Sequence, residues 1–230
     1  MSKVRSRSDS PIDLWYPSLI IPLSSSSGQE LFSTSLHIAY DRLNPHFEPQ
    51  EQLSFCGVAS ASILLNTLLP FQKWTQSTLY STVARAHMLN GITLAKLSHV
   101  LQICGLSSII RYCEDETIEE QFRYDLQQPE NFIIVNYWRQ FQEKDKNYIH
   151  RGGHLSLIGG FNKKTDCVLI MDTSHTRFPH HWLSLKHLVR MMSTYDRMAS
   201  MPRGYLIINY PKQSKENDQL NFYSYDEFHT

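Results

Sequence analysis

Four side chains spaced along this chain could together attack a carbonyl group. Cys56 stands where the polar stretch EQLSF gives way to the apolar, small-residue run CGVASASILLN. Far downstream, His154 follows a glycine pair and Asp172 ends the next apolar segment. Gln50 precedes the cysteine by six positions. A thiol, an imidazole and a carboxylate in this chain order are typical of a cysteine nucleophile, its base and the group that orients the base.

The position of Cys56 suits a nucleophile because the thiolate, and not the thiol, is the attacking form. An ordinary thiol has a pKa of about 8.5, which a helix N-terminus or an imidazolium lowers to about 3.5–7.5. The predicted helix start supplies the first influence and His154 the second, while Asp172 fixes the imidazole tautomer. The Gln50 amide and the backbone N–H of Cys56 would donate to a developing oxyanion.

Each of these residues also has a purely structural interpretation. An isolated cysteine is most often inert core, and Asp172 could simply cap the loop that follows it. A different class of function is a zinc-dependent or metal-binding protein, for which His150, His154, Asp172 and His175 supply a dense polar cluster. The His-x3-His spacing within HRGGH would place both ligands on one face only in a helix, which the glycine pair disfavours.

The first half of the chain has helical patterns and the second half has strand patterns. Apolar runs and apolar spacing near three and four predict helices at residues 56–69, 77–89, 93–104 and 117–127. Aromatic and branched residues between polar loops predict strands at residues 131–138, 154–161, 166–172 and 204–210. Helices followed by strands are typical of an α+β domain with an antiparallel sheet.

The segment FNKKTD, between the second and third predicted strands, is expected to be a hairpin loop that sets the register of both. With Phe161 opposite Asp166, opposed residue numbers sum to 327, and Asp172 faces Leu155, one position from His154. A one-residue bulge near the turn would place His154 and Asp172 directly opposite each other. In either register the two side chains are close enough to hydrogen-bond.

Charge and cysteine spacing narrow the class of protein. The chain has 230 residues and a formal net charge of +0, which argues against nucleic acid or an anionic membrane as a partner. No apolar run reaches the roughly 20 residues of a membrane-spanning helix. The four cysteines lack the spacing of zinc sites and disulfide scaffolds, which predicts reduced thiols and a cytoplasmic protein. Secretion stays open, because Lys3, Arg5 and Arg7 precede the apolar stretch LWYPSLIIPL, in the order of a signal peptide, although prolines interrupt that stretch.

Several spaced motifs resemble the phytochelatin synthases, papain-like cysteine enzymes that act on glutathione. QEQLSFCGVASASILLN is similar to that family's nucleophile segment, and GGHLSLIGGFNKKTDCVLIMD to its Gly-His-Phe-Ser-Pro-Ile-Gly-Gly-Tyr stretch with an Asp-bearing strand. FPHHWLSL, IPLSSSSGQELF and RGYLIINY match further segments in the same order. The resemblance covers about residues 14–210. It implies a papain-like α+β fold, with a helical lobe packed on an antiparallel sheet lobe and the active site between them.

The resemblance also implies roles for individual residues. Cys56 becomes the nucleophile, His154 the general base and acid, Asp172 the orienting carboxylate and Gln50 the oxyanion donor. The reaction implied is attack on the Cys-Gly bond of glutathione, release of glycine, and transfer of the γ-glutamylcysteinyl group to water or to a second glutathione.

A second group of residues is implied to bind the substrate. Asn136, within VNYWR, would hold the γ-glutamyl end of the acyl group, and Arg203 would pair with its α-carboxylate. Arg139 and Gly153 are expected in the same site. No residue is assigned to a metal and no cofactor is expected to be required. Cadmium or zinc would act as activators through metal–glutathione thiolates, in keeping with a role in metal detoxification.

The chain departs from the family pattern at several places. His175 stands where the family typically has an Arg after the catalytic Asp, Leu157 replaces a Pro, and the loop between Arg139 and Gly152 is longer and highly charged. No cysteine follows Cys167, whereas plant and fungal members continue into a cysteine-rich region. These differences predict substantial hydrolysis and weak chain extension.

The expected organisation is a flexible extension over residues 1–13, a single catalytic domain over 14–210 and a tail over 211–230. The helical half would cover about residues 30–128 and the sheet half about 129–210. This arrangement fits a short, prokaryotic-type family member with the catalytic domain only, and it is compatible with a homodimer. An inactive papain-like binding module remains an alternative beside the metal-binding protein.

Overall fold

The computed structural model describes residues 16–142 and 149–209. The extension expected over 1–13 and the tail expected over 211–230 lie outside these residues. No helix within the described ranges is long and apolar enough to cross a membrane.

The α-helices lie mainly in the first half of the chain. Those of the described residues are α1 (Ser26–Ser33), α2 (Ile38–Leu43), α3 (Cys56–Leu68), α4 (Gln76–Thr82), α5 (Leu94–Ile103), α6 (Ile118–Asp125) and α7 (Leu185–Met192). The side chains of Thr75 and Thr93 cap α4 and α5 by accepting from backbone N–H groups of the first turn. The helix predicted over 77–89 is too long, because Val83 leaves helical geometry and a 3-10 turn (Ala84–His87) follows.

The strands form one large sheet and one small ribbon. In chain order they are β1 (Ile21–Pro22), β2 (Ser108–Tyr112), β3 (Asn131–Gln142), β4 (Ile149–Asn162), β5 (Cys167–Met171), β6 (His181–Ser184), β7 (Tyr195–Asp196), β8 (Met201–Pro202) and β9 (Gly204–Asn209). The seven-stranded sheet has the order β1-β6-β5-β4-β3-β9-β2, and β7 pairs with β8. All of these pairings are antiparallel, as predicted.

Three features of the sheet differ from the predictions. β2 comes from the half expected to be helical and α7 from the half expected to be sheet, so the two halves are not fully segregated. The prediction of a charged loop between Arg139 and Gly152 is wrong, because these two residues pair with each other as neighbours on β3 and β4. β3 and β4 continue as a hairpin up to Gln142 and from Ile149.

The sheet is buried on both faces. Alternate side chains of β3 enter different cores: Phe132 and Ile134 pack with α3 and α5, whereas Ile133 and Val135 pack with α6 and α7. This two-sided burial explains why β3 has an almost continuous apolar sequence. The same strand therefore carries side chains to both surfaces near its polar end, where the candidate site lies.

Candidate active site

Cys56 is the first residue of α3, as the sequence predicted. The residue that caps the helix, Phe55, makes no side-chain hydrogen bond to the first turn. A Cβ atom on Gly57 would lie 2.4 Å from a methyl group of Ile92 and 2.9 Å from one of Leu155. Glycine thus lets the start of α3 approach β4 closely, which places Cys56 beside the residue that follows His154 in the chain.

His154 and Asp172 come together through the β4–β5 hairpin, although the predicted register is wrong. Leu157 lies opposite Met171, not opposite Ile170, and a bulge shifts the register between Ile158 and Gly160. Continuing this register puts Asp172 on the same face as His154 and two positions away along β4. The expectation that the two side chains lie within one or two positions, close enough to hydrogen-bond, holds.

Three buried side chains form a continuous hydrogen-bonded series. The Nε2 atom of His154 lies 2.8 Å from Oδ1 of Asp172, and because a carboxylate only accepts, this nitrogen carries the proton. The Cys56 thiol hydrogen-bonds to the same imidazole, and the backbone of Leu155 also bonds to the sulfur. The imidazole thus stands between a sulfur and a carboxylate, which is the geometry of an activated thiol.

The charges of this series support each other. Burial opposes ionisation of Asp172, but the Arg139 and His154 cations outweigh it and hold the carboxyl pKa well below its usual range. Burial also raises the Cys56 pKa, yet the hydrogen bond and the charge of His154 bring it below the ordinary thiol value. Burial and Arg139 lower the His154 pKa, and Asp172 together with the Cys56 hydrogen bond more than offsets both. The two pKa shifts therefore move the equilibrium toward the thiolate–imidazolium pair.

Arg139, which was predicted to bind substrate, contacts two members of this series. Its Nη1 atom donates to Oδ2 of Asp172 at 2.6 Å, and its Nη2 atom lies 3.2 Å from Nδ1 of His154. The guanidinium also faces the rings of Phe141 and Phe178, with distances of 5.4 and 4.8 Å to the ring centroids. A cation–π pattern of this kind is typical of a buried, fixed arginine. These contacts give Arg139 the position of a fourth member of the series.

The other residues predicted to bind substrate form a second group, which we call the Arg203 group. It comprises Asn136, Gly153, Asp196 and Arg203. Arg203 is only 5% exposed, and its guanidinium lies against Gly153 and faces the ring of Trp138 at 5.5 Å. Its Nη1 atom is 3.2 Å from Oδ2 of Asp196, and Asn136 donates to the same oxygen.

Arg203 keeps unused hydrogen-bonding capacity. Its ion pair with Asp196 is close enough for attraction but lacks hydrogen-bond geometry, so Nε and Nη1 have no hydrogen-bond partner among residues 16–142 and 149–209. Burial lowers the Arg203 pKa, and Asp196 offsets part of this effect. Buried donors without partners are costly, and they suit a site that an anion completes. Because Gly153 precedes His154 directly, this group adjoins the hydrogen-bonded series.

Comparison with known proteins shows the family of this chain. A family model described as phytochelatin synthase matches residues 13–205. The chain belongs to the phytochelatin synthase family. This finding confirms the resemblance seen in the sequence.

Curated relatives in the phytochelatin synthase family are named glutathione gamma-glutamylcysteinyltransferases. Number 3 of Lotus japonicus is 26% identical in an alignment of 212 residues, which covers 84% of this chain and 43% of the relative. Number 1 of Arabidopsis thaliana is 26% identical over 83% of this chain and 42% of its own length. The protein of Schizosaccharomyces pombe is 26% identical over 84% and 49%. This chain therefore spans less than half the length of these relatives.

A solved structure with much lower sequence identity to this chain shares its fold. Xylellain, a cysteine protease from Xylella fastidiosa, superposes with a TM-score of 0.50 at 7% identity, over 82% of this chain and 90% of that one. The likeness confirms the predicted papain-like α+β fold of this phytochelatin synthase family member.

Gln50 lies near the series, but its side-chain amide already donates two hydrogen bonds. The Nε2 atom donates to the backbone oxygens of Gln52 and Leu53 at 2.8 and 3.0 Å. The backbone N–H of Gln50 donates to Thr173, the neighbour of Asp172. The loop before α3 is thus tied to the residue after the carboxylate. The role of Gln50 as an oxyanion donor remains a prediction for this phytochelatin synthase family member.

The metal-binding alternative finds no matching cluster. Within residues 16–142 and 149–209, no group of three or more His, Cys, Asp or Glu side chains is arranged to hold a metal ion. His150 stacks on Phe141 with ring centroids 5.0 Å apart, whereas His175 packs against His180 at 4.9 Å. The dense histidine cluster of the sequence is therefore divided between separate aromatic contacts.

Two residues of the site were not predicted from sequence. Tyr137, directly opposite His154 on β3, brings its hydroxyl 3.4 Å from Oδ2 of Asp172. Asp196 completes the Arg203 group. Tyr137 could have been predicted from the sequence, since it lies two positions from Arg139 on one strand and its side chain therefore points to the same face of the sheet. Asp196 lies on the short strand β7, for which the sequence gives no period.

Proposed function

We propose that this chain is a cysteine-dependent transferase and peptidase that acts on the Cys-Gly bond of glutathione. The observation that carries the proposal is the buried hydrogen-bonded series of Cys56, His154 and Asp172 at the junction of α3 and the sheet. The names of the relatives supply the substrate class, γ-glutamylcysteinyl transfer from glutathione.

In the proposed reaction, the Cys56 thiolate attacks the carbonyl carbon of the Cys-Gly peptide bond. Backbone N–H groups at the start of α3 would stabilise the oxyanion, and Gln50 would contribute only after releasing one of its present bonds. His154 then donates its Nδ1 proton to the leaving amine of glycine, and a γ-glutamylcysteinyl thioester remains. Water, activated by the same imidazole, hydrolyses the thioester to γ-glutamylcysteine. The amino group of a second glutathione instead forms a longer thiol peptide.

The Arg203 group suits the γ-glutamyl end of the substrate, which carries a carboxylate and an ammonium on one carbon. The unpartnered Nε and Nη1 atoms of Arg203 would bind the carboxylate in two-point fashion. The Asp196 carboxylate and the Asn136 side-chain oxygen would bind the ammonium. Gly153 leaves the space in which the guanidinium lies.

The balance of products forms a separate part of the proposal. We expect hydrolysis to be substantial and chain extension to stop at the shortest product, because His175 replaces the arginine typical of the family after the catalytic Asp. Thiol-binding metal ions would enter as glutathione thiolates and so as a form of the substrate. Mass spectrometry of glutathione incubated with the protein, with and without cadmium or zinc, tests this expectation, and long oligomers as the main product would contradict it.

The setting of the enzyme completes the proposal. All four cysteines of the chain are free thiols, which agrees with the reducing environment of the cytoplasm. We assign residues 14–210 to one catalytic domain, since both groups of site residues lie on the same sheet.

Release of glycine from glutathione is the deciding experiment. The wild-type chain is expected to release glycine, and Cys56→Ser is expected to abolish the release. Cys104→Ser is the matched control, because Cys104 lies at the end of α5, outside the site, and should leave the rate unchanged. Equal rates for the two variants would refute the proposal.

A further inference from the structure

Tyr16 belongs to the first segment that the structure describes, and its side chain packs against Arg139 of the active site. It belongs to a 3-10 turn (Tyr16–Ser18) ahead of β1 and is fully buried. Its ring contacts Phe178 edge-on at 5.1 Å and lies 5.6 Å from the guanidinium carbon of Arg139. The Tyr16 ring is thus inserted among the groups that surround Asp172.

The direction of the hydrogen bonds around Tyr16 follows from its neighbours. Nδ1 of His181 lies 2.7 Å from the carbonyl oxygen of Pro179 and must carry a proton. Burial lowers the His181 pKa to about 4, so the ring is neutral and Nε2 is an acceptor. The Tyr16 hydroxyl, 2.6 Å from Nε2, therefore donates to it. Its oxygen is left to accept from the Tyr137 hydroxyl at 3.1 Å.

The single hydroxyl proton of Tyr137 thus has two acceptors at hydrogen-bond distance, and the Ser156 hydroxyl is a further neighbour. The Tyr16 oxygen is the nearer at 3.1 Å, and Oδ2 of Asp172 lies at 3.4 Å. Asp172 already accepts from Arg139 on the same oxygen, and from His154 and the backbone N–H of Ser174 on the other. A further donor would spread its charge and weaken its attraction for the imidazolium.

We infer that Tyr16 is a positioning residue of the active site, which keeps the Tyr137 proton off Asp172 so that the carboxylate charge remains available to His154. The inference rests on the proposed role of Cys56 and His154 as the reacting pair. Tyr16 acts through Tyr137 and touches no reacting atom. Loss of its hydroxyl moves the Tyr137 proton to Asp172, weakens the imidazolium and so raises the pH at which Cys56 ionises.

The test is the pH dependence of Cys56 alkylation by iodoacetamide, followed by peptide mass spectrometry on the full chain. Tyr16→Phe keeps the buried ring and removes the hydroxyl. We expect the midpoint to rise by about half a pH unit, which is roughly a threefold slower alkylation below the midpoint. In a Tyr137→Phe background the same Tyr16→Phe change is expected to have no effect, because no proton is left to move.

Tyr205→Phe is the matched control. Tyr205 is also buried, and its hydroxyl donates to Asp125, away from Cys56. Thermal unfolding verifies that each variant is folded, and the control should lose stability without a change in the midpoint. An unchanged midpoint in Tyr16→Phe, or an equal rise in the Tyr137→Phe background, would overturn the inference. Alkylation requires no glutathione, so this outcome is independent of whether glutathione is the substrate.

Discussion

Two buried aspartates of this chain each accept a hydrogen bond from an arginine and differ in their other side-chain partners. Asp125, the last residue of α6, accepts from Nε of Arg111 at 2.9 Å and from the hydroxyl of Tyr205 at 2.8 Å. Its second oxygen accepts from the amide of Gln121 at 3.1 Å. Every partner is a fixed donor. This cluster ties α6 to β2 and β9 and holds no group that could exchange a proton near neutral pH.

Asp172 also accepts from an arginine but has an imidazole in place of the amide. Arg139 donates to one oxygen and His154 to the other, while the Tyr137 hydroxyl, 3.4 Å away, gives its proton to Tyr16. An arginine is therefore the partner that the two buried carboxylates share. The partner that can change its protonation state, together with the thiol beyond it, distinguishes a chemical site from a structural one.

The largest expected effect is on glycine release, and it distinguishes the variant that removes the Asp172 carboxylate from the one that removes the Asp125 carboxylate. Asp172→Ala is expected to reduce glycine release on the order of 100-fold or more, because the imidazole loses its orientation and the imidazolium its counter-charge. It also leaves Arg139 buried without its partner, which costs about 3–5 kcal/mol of unfolding free energy. Steady-state kinetics and chemical denaturation measure the two effects.

Asp125→Ala is the other half of that comparison. It is expected to cost about 1–3 kcal/mol, because the Tyr205 hydroxyl loses its acceptor, while turnover per folded molecule stays unchanged. If Asp125→Ala lowers turnover as much as Asp172→Ala does, the two clusters have no difference in role.

Replacing Arg139 or Arg111 is expected to have a smaller effect on kinetics. The comparison distinguishes a role in the hydrogen-bonded series from a role in substrate binding. Arg139→Met is expected to lower kcat on the order of tenfold with KM for glutathione nearly unchanged, because Arg139 contacts Asp172 and His154. Arg111→Met is expected to alter stability alone. A raised KM with an unchanged kcat in Arg139→Met would return this residue to the substrate site predicted from sequence.

A third arginine–aspartate pair, in the Arg203 group, extends the comparison to substrate binding. A Cβ atom on Gly153 would lie 3.0 Å from Nη2 of Arg203, whereas one on Gly152 would meet nothing within 4 Å. Gly153→Ala is expected to raise KM roughly fivefold, equivalent to about 1 kcal/mol of a weakened charged hydrogen bond. Gly152→Ala should match the wild type. Equal KM values for both variants would show that the Arg203 guanidinium does not hold the substrate.

The sequence predicted the local parts of the fold well. α3 begins at Cys56 as expected, since a polar loop followed by an apolar run bounded by Pro70 has one simple interpretation. The antiparallel sheet followed from the change of period after residue 130. The pairing of His154 with Asp172 was also accessible, because a short hairpin keeps the two residues within two positions of each other even when the register differs by one residue.

The parts that depend on tertiary contact were less accessible. The position of Arg139 inside the series required the register of β3 against β4, and the predicted loop at 139–152 obscured it. The bulge between Ile158 and Gly160 has no sequence signal beyond a glycine pair. The contribution of Tyr16 arises from a contact with His181 across most of the chain, which no local pattern encodes.

The central claim is that Cys56 is held as a thiolate by the imidazole that Asp172 orients. Its alkylation by iodoacetamide between pH 4 and pH 10 tests this most directly, with Cys104 as the internal reference, because burial raises the Cys104 pKa and no histidine opposes that effect. The account predicts a Cys56 midpoint below the ordinary thiol value of about 8.5 and a Cys104 midpoint above it. A Cys56 thiol that ionises together with Cys104, or at a higher pH, would contradict the account.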